Sequence, residues 1–201
     1  EPGGKVAAVP MDFGATWYPG IDYGAAIGMI DDYEPGDIGF TNDPYSGYLA
    51  THVPDLHMWK PIFEDGEILA WAGGHIHNTD MGGAVPASLS RSLTEVHQEG
   101  IRFPPMKMYR RGELNEEALR VMLLNVRKSE QNLGDLKAFT GALNTGERKL
   151  RAMIRKFGVD GFRAGLAGVL DYAEHQAREV LRSIPDGEYV FSDYCDEDGP
   201  N

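Results

Sequence analysis

An Asp-Gly pair between two apolar segments is the feature that most limits how this chain can fold. Residues 57–63 and 68–73 carry β-branched and aromatic side chains, and Asp65-Gly66 lies between them. Asp-Gly is a favoured pair for the type I′ turn that closes a β-hairpin. The pattern therefore predicts two antiparallel strands joined at this turn. Their register stays open, because a shift by one residue turns every side chain to the opposite face.

The predicted hairpin carries histidines and carboxylates towards one end. His52 and Asp55 precede its first strand, and His75, His77 and Asp80 follow its second, so that four of the six histidines of the chain lie in or beside it. Imidazole nitrogens and carboxylate oxygens are ligands for zinc, manganese and iron. We predict that His52, Asp55 and His77 bind one divalent metal ion, with Asp80 close by. Three protein ligands leave a position for water or substrate, as catalytic sites require. A hydrogen-bonded structural cluster is the alternative interpretation.

Further carboxylates are candidates for catalytic roles beside this site. Asp80 is expected either to orient an imidazole or to be a ligand itself. Asp43 lies in a polar loop, where it could polarise a water molecule or serve as a turn residue. Glu99 could act as a general base, although a surface position explains it as well. His57 and His75 are expected to be structural histidines.

Charge and composition exclude several classes of protein. Residues 1–100 carry 3 basic and 15 acidic groups, and their excess of negative charge equals the net charge of the whole chain, −12. This acidity argues against a nucleic-acid surface there. The single cysteine, Cys195, excludes an internal disulfide. No apolar run approaches the ~20 residues that a membrane span needs. With no visible signal peptide, we expect a cytoplasmic protein without a membrane partner.

The second half of the sequence has helical character. Asn115 followed by two glutamates predicts a helix start, and that helix is expected to run to about residue 127. Asn132-Leu133-Gly134 predicts a break, after which helical spacing resumes and ends at Gly158. We therefore predict one α+β unit over residues 1–201. Its parts are a β-rich, site-bearing region (1–112), a helical region packed against it (113–185) and the start of a further β region (186–201), with a strand at 188–191.

Several motifs in this order resemble those of the hydantoinase B / 5-oxoprolinase family. They are Thr41–Gly47 (Thr-Asn-Asp-Pro-Tyr-Ser-Gly), Thr51–Asp55 (Thr-His-Val-Pro-Asp), His77–Gly83 (His-Asn-Thr-Asp-Met-Gly-Gly), Gln98–Pro105, Asn132–Leu136, Pro185–Tyr189 and Asp193-Tyr194. Each motif alone is weak, but their shared order across nearly the whole chain makes the resemblance specific. Because proteins of this family are much longer, the resemblance implies a fragment of a longer family domain.

The resemblance also implies a function. Family assemblies include ATP-dependent hydantoinases, 5-oxoprolinase, caprolactamase, and acetone and acetophenone carboxylases. A hydantoinase A-type partner subunit binds ATP and phosphorylates the substrate carbonyl, and this chain has no Gly-x-x-x-x-Gly-Lys loop of its own. In the carboxylase branch the metal ligands are a His-x-x-Asp pair and a later His, which correspond to His52, Asp55 and His77.

Three functions are therefore compatible with the sequence. The first is the metal-bearing subunit of an ATP-dependent cyclic-amide hydrolase that acts on a phosphorylated carbonyl intermediate. The second is a subunit of an ATP-dependent ketone carboxylase. The third is a non-catalytic interaction subunit with a vestigial site.

Overall fold

A five-stranded antiparallel sheet dominates the first half of the computed structural model, which describes residues 1–9 and 20–193. The strands are β1 (Ile38–Thr41), β2 (Asp55–Glu64), β3 (Glu67–His77), β4 (Met106–Arg110) and β5 (Glu113–Leu114). Their order in the sheet is β3-β2-β1-β4-β5, and all neighbouring pairs are antiparallel. The two long strands therefore lie at one side of the sheet and the short ones at the other.

The predicted hairpin is confirmed as β2 and β3. Asp65 and Gly66 have φ values of 49° and 83°, and both are positive, as a type I′ turn requires. The register that the sequence left open pairs Asp55 with His77. Because side chains alternate between faces, the pair His57 and His75, two residues further along, lies on the same face of the sheet.

The two faces of the sheet pack against different parts of the chain. On the histidine face, Trp59 packs with Tyr23 and Leu49. Trp59 lies opposite Gly39 of β1, where a Cβ atom would come 2.3 Å from the indole ring, so only glycine leaves room for it. The other face packs against helices through the side chains Leu56, Met58, Met122, Leu136, Phe139 and Leu143.

The helices are α1 (Gly24–Ile27), α2 (Glu116–Asn125) and α3 (Ser129–Ser183). The predicted start of α2 is confirmed, since the Asn115 side chain accepts a hydrogen bond from the Ala118 amide at 3.1 Å. Gly158, with φ 73° and ψ 165°, interrupts α3 where a helix end was predicted. The α+β class, with a β-rich first half and a helical second half, is therefore confirmed.

The break predicted at residues 132–134 is wrong, because α3 continues through them. Asn132 is buried there, and its amide donates a hydrogen bond to the Asp80 carbonyl at 2.7 Å. This tertiary contact stabilises a helical position for a residue that local preference places at caps and turns.

The chain divides into two compact units, Glu1–Leu166 and Ala167–Asn201. The first contains the sheet, and the second contains the end of α3 with ion pairs between Glu174 and Arg178 and between Glu179 and Arg182. Residues 188–191, expected to be extended, form no strand. The further β region at 186–201 lies partly outside the described residues and stays a prediction, as does a single domain over the whole chain. Within residues 1–9 and 20–193, no helix combines the length and apolar character that a membrane span requires.

Candidate metal centre

The hairpin brings the three predicted ligands together. Asp55 begins β2, His77 ends β3, and the two are cross-strand partners. His52 lies in the turn before β2, where its carbonyl accepts a hydrogen bond from the Asp55 amide at 3.1 Å. One ligand atom from each of the three side chains lies within 4.8 Å of the other two. His52 Nε2 is 3.2 Å from an Asp55 oxygen, and the ring centroids of His52 and His77 are 4.9 Å apart.

This donor set fits a divalent metal ion. Ligands that lie about 2.0–2.2 Å from one ion are within about 4.4 Å of each other, so the observed spread closes with small side-chain rotations. Two nitrogens and one carboxylate oxygen match the preferences of zinc, manganese and iron. Asp55 is buried, His52 is half-buried and His77 is exposed, so the group is open to solvent on one side.

Two neighbouring side chains hold the turn that carries His52. The Thr51 hydroxyl donates to an Asp55 oxygen at 2.7 Å. Glu99 accepts a hydrogen bond from the Val53 amide at 2.9 Å, which places this candidate base beside the turn. Thr51 was not among the predicted site residues, although its position four residues before Asp55 is a local signal that could have identified it.

Thr51 also lines an open cleft of about 550 Å³. The other lining residues are Gly20, Ile21, Asp22, Ala25, Gly47, Tyr48 and Leu49. Because Thr51 contacts both the cleft and Asp55, the cleft begins beside the ligand group.

A second pair of histidines lies two residues further along the same two strands. The rings of His57 and His75 stack with centroids 5.0 Å apart. The Tyr23 hydroxyl lies 3.2 Å from His57 Nδ1 and donates to the Gly74 carbonyl at 3.1 Å. Burial and the charge of His75 lower the pKa of His57 to about 3, with Asp55 opposing the shift. His57 is therefore a neutral imidazole, as suits the structural role expected for it.

Asp43 lies in its own turn and outside the ligand group. Its carboxylate accepts hydrogen bonds from the Ser46 hydroxyl at 2.5 Å and from the Tyr45 amide at 3.4 Å. Arg102 forms an ion pair with it at 3.1 Å. These contacts match the turn interpretation of Asp43, one of the two that the sequence left open.

Asp80 also lies outside the ligand group. Its buried carboxylate accepts hydrogen bonds from the Arg127 guanidinium at 2.9 Å and from the Arg127 amide at 2.7 Å. The same guanidinium binds the carbonyls of Gly82, Gly83 and Val85. Arg127 thus holds the chain that follows His77. Sequence reasoning missed Arg127, because nothing local relates residues 47 positions apart.

Comparison with known proteins places this chain in a family. The family model described as Hydantoinase B/oxoprolinase matches residues 20–200. The chain belongs to this family. Among the hydantoinase B/oxoprolinase relatives, caprolactamase subunit beta of Pseudomonas jessenii is 36% identical over 169 residues, which cover 84% of this chain and 29% of that protein. The acetophenone carboxylase delta subunit of Aromatoleum aromaticum is 28% identical over 167 residues, covering 81% of this chain and 24% of that one.

A solved structure of a family member has the same fold. The crystal structure of ATP-dependent caprolactamase from Pseudomonas jessenii matches with a TM-score of 0.74 at 36% identity. The match covers 81% of this chain and 28% of that chain. The chain thus spans less than a third of the length of these hydantoinase B/oxoprolinase relatives, and two of them are named as enzyme subunits.

Proposed function

We propose that this chain is the metal-bearing part of an ATP-dependent enzyme that hydrolyses cyclic amides. The observation that carries the proposal is the convergence of His52, Asp55 and His77, whose ligand atoms lie within 4.8 Å of one another. The 36% identity to a caprolactamase subunit supports the reaction class, because a lactam is a cyclic amide.

The side chains around this site have distinct proposed roles. His52, Asp55 and His77 bind the ion, which is manganese, zinc or iron, and a bound divalent ion would polarise a carbonyl or acidify a water molecule. Thr51 keeps one oxygen of Asp55 in place through its 2.7 Å hydrogen bond. Glu99, half-buried beside the turn of His52, is the proposed proton carrier.

Asp43 and Asp80 have a supporting role in this proposal. The Asp43 carboxylate forms an ion pair with Arg102, and the Asp80 carboxylate forms one with Arg127. Each also accepts a hydrogen bond from its own loop. They therefore fix the loops on either side of the ligand-bearing hairpin, and proton transfer is proposed for Glu99 instead.

ATP chemistry is proposed to occur on a partner. The chain has no Gly-x-x-x-x-Gly-Lys loop, so a hydantoinase A-type subunit would phosphorylate the substrate carbonyl and pass on the activated intermediate. The open side of the ligand group and the cleft beside Thr51 leave room for a small molecule to approach.

Replacement of one ligand tests the proposal directly. His52→Ala in the full chain should lower bound metal after dialysis, and should reduce lactam hydrolysis by the assembled complex by roughly 100-fold or more. His175→Ala, an exposed histidine on α3, is the matched control and should change neither quantity. Unchanged metal content and activity in His52→Ala would refute the proposal and leave a non-catalytic interaction subunit.

Carboxylation is the second candidate, favoured by the 28% identity to an acetophenone carboxylase subunit. Carboxylation and hydrolysis are distinguished by the co-substrate that each requires. ATP turnover by the complex with a ketone would depend on bicarbonate in a carboxylase, whereas lactam-dependent turnover without bicarbonate indicates hydrolysis. We favour hydrolysis because the caprolactamase subunit is the more similar of the two relatives.

A further inference from the structure

One hydroxyl group connects the two strands that carry the candidate ligands. The Tyr23 O–H lies 3.1 Å from the Gly74 carbonyl in β3, and a carbonyl oxygen can only accept a hydrogen bond. The Tyr23 oxygen therefore accepts the bond that joins it to His57 Nδ1 in β2, at 3.2 Å. This arrangement places a proton on His57 Nδ1.

The connection lies close to the ligand group. His57 and His75 are the cross-strand pair next to Asp55 and His77 on the same face, about 7 Å along the strands. The rings of His57 and His75 stack on each other at this position. A shift of β3 relative to β2 would break the hydrogen bonds of the Tyr23 hydroxyl, and the same shift would separate Asp55 from His77.

Tyr23 is itself held firmly in place. Its backbone amide donates to the Gly4 carbonyl at 2.9 Å, and its side chain is 5% exposed. Its ring meets those of His57 and Trp59 edge-on, at 5.8 Å and 6.2 Å. The phenol is thus a fixed point outside the hairpin, against which both strands are aligned.

We propose that Tyr23 is a positioning residue of the metal centre, which holds His57 in its Nδ1–H form and keeps Asp55 opposite His77. This inference rests on the proposed function, because it needs a metal ion at His52, Asp55 and His77. Tyr23 acts through the hairpin, by its hydrogen bonds to His57 and Gly74. No local pattern indicates this role, since Tyr23 and His57 are 34 residues apart.

The test compares two tyrosines in the same apolar cluster. Tyr23→Phe removes the hydroxyl and keeps the ring. Tyr33→Phe is the matched control, because the Tyr33 hydroxyl accepts from the Trp59 indole at 2.7 Å and donates to the Ile27 carbonyl at 3.2 Å, and neither bond involves a histidine. Titration of the full chain with Mn²⁺ and with Zn²⁺ should show about 10-fold weaker binding in Tyr23→Phe and an affinity within about twofold of wild type in Tyr33→Phe.

A spectroscopic measurement separates positioning from a general loss of stability. In ¹⁵N spectra of the histidines, His57 of the wild-type chain should show a single Nδ1–H form. Tyr23→Phe should show a mixture of both tautomers, and Tyr33→Phe should keep the wild-type spectrum. If Tyr23→Phe does not fold, His57→Phe takes its place in the metal titration and should weaken binding to a similar degree.

The possible failures are distinguishable. Wild-type metal affinity in Tyr23→Phe, or in His57→Phe where that variant is used, would overturn the positioning role alone. An equal loss of affinity in Tyr23→Phe and Tyr33→Phe would also overturn it, because the effect would then follow stability. A wild-type chain that binds neither metal would overturn the proposed function, and this inference with it.

Discussion

At the scale of single residues, the contacts of Asp80 favour a structural carboxylate over a metal ligand. Its buried carboxylate forms an ion pair with Arg127, whose side chain is 42% exposed, so Asp80→Asn removes the negative charge that this guanidinium contacts. We expect a loss of roughly 2–3 kcal/mol in the free energy of unfolding, with metal affinity within about twofold of wild type. Urea unfolding and metal titration measure the two quantities. Asp171→Asn, exposed on α3, is the control and should change neither.

The other predicted role of Asp80, that of a ligand, is decided by the same experiment. A large drop in metal affinity with unchanged stability in Asp80→Asn would place its carboxylate in the ligand group. It would then have to leave Arg127, which it contacts through both oxygens.

The same scale shows what sequence could reveal about the site. His52, Asp55 and His77 were predictable as a group, because a turn signal between two short-range motifs brings them to one end of a hairpin. Arg127 and Tyr23 were not, because their contacts join residues that only tertiary packing brings together. Sequence spacing reports local geometry, as for Thr51 and Asp55, whereas Arg127 and Tyr23 act from distant parts of the chain.

At the scale of elements, two glycines of α3 give opposite predictions. Gly134 lies in a regular helical turn where a Cβ atom would meet nothing within 4 Å, so Gly134→Ala should raise the free energy of unfolding by about 0.5–1 kcal/mol. Gly158 has equal space but φ 73° and ψ 165°, a region restricted to glycine, so Gly158→Ala should lower it by roughly 1–3 kcal/mol. Urea unfolding of both variants checks the pair.

This pair also tests why the predicted break at residues 132–134 was wrong. If the helix ended there, Gly134→Ala would bring no gain in stability. The strands β2 and β3 were predictable, because their composition and their turn agree. The path of α3 was not, because the hydrogen bond of Asn132 to Asp80 outweighs the local preference of an Asn-Leu-Gly sequence.

At the scale of the whole molecule, the contact between sheet and helix contains a buried charge. Lys60 of β2 points to the helical side, where it forms a 2.7 Å ion pair with Glu147 of α3 and donates to Asn144 at 2.7 Å. Burial alone would raise the pKa of Glu147. Hydrogen bonds and charges from Lys60 and Arg151 outweigh burial, and the pKa of Glu147 is lowered. The ion pair therefore stabilises the packing only while Glu147 is ionised.

The stability of this contact should depend on pH in a defined direction. A carboxyl whose pKa is lower in the folded than in the unfolded state stabilises the fold at pH values above its unfolded-state pKa. This stabilisation is lost as the pH falls through the folded-state pKa. Glu147→Gln should lower the free energy of unfolding by about 2 kcal/mol at pH 7. The difference from wild type should stay constant down to about pH 5 and shrink below it. Urea unfolding between pH 7 and pH 3 measures it.

The control for this pH dependence is an ion pair at the surface. Glu116 lies 3.8 Å from Arg120 on α2, and both side chains are about three-quarters exposed. Glu116→Gln should change the free energy of unfolding by less than about 0.5 kcal/mol at every pH. If the difference in the free energy of unfolding between wild type and Glu147→Gln were undiminished at pH 3, packing rather than the ion pair would stabilise the contact between α3 and the sheet. The lysine beneath the hairpin would then contribute through its packed aliphatic stem.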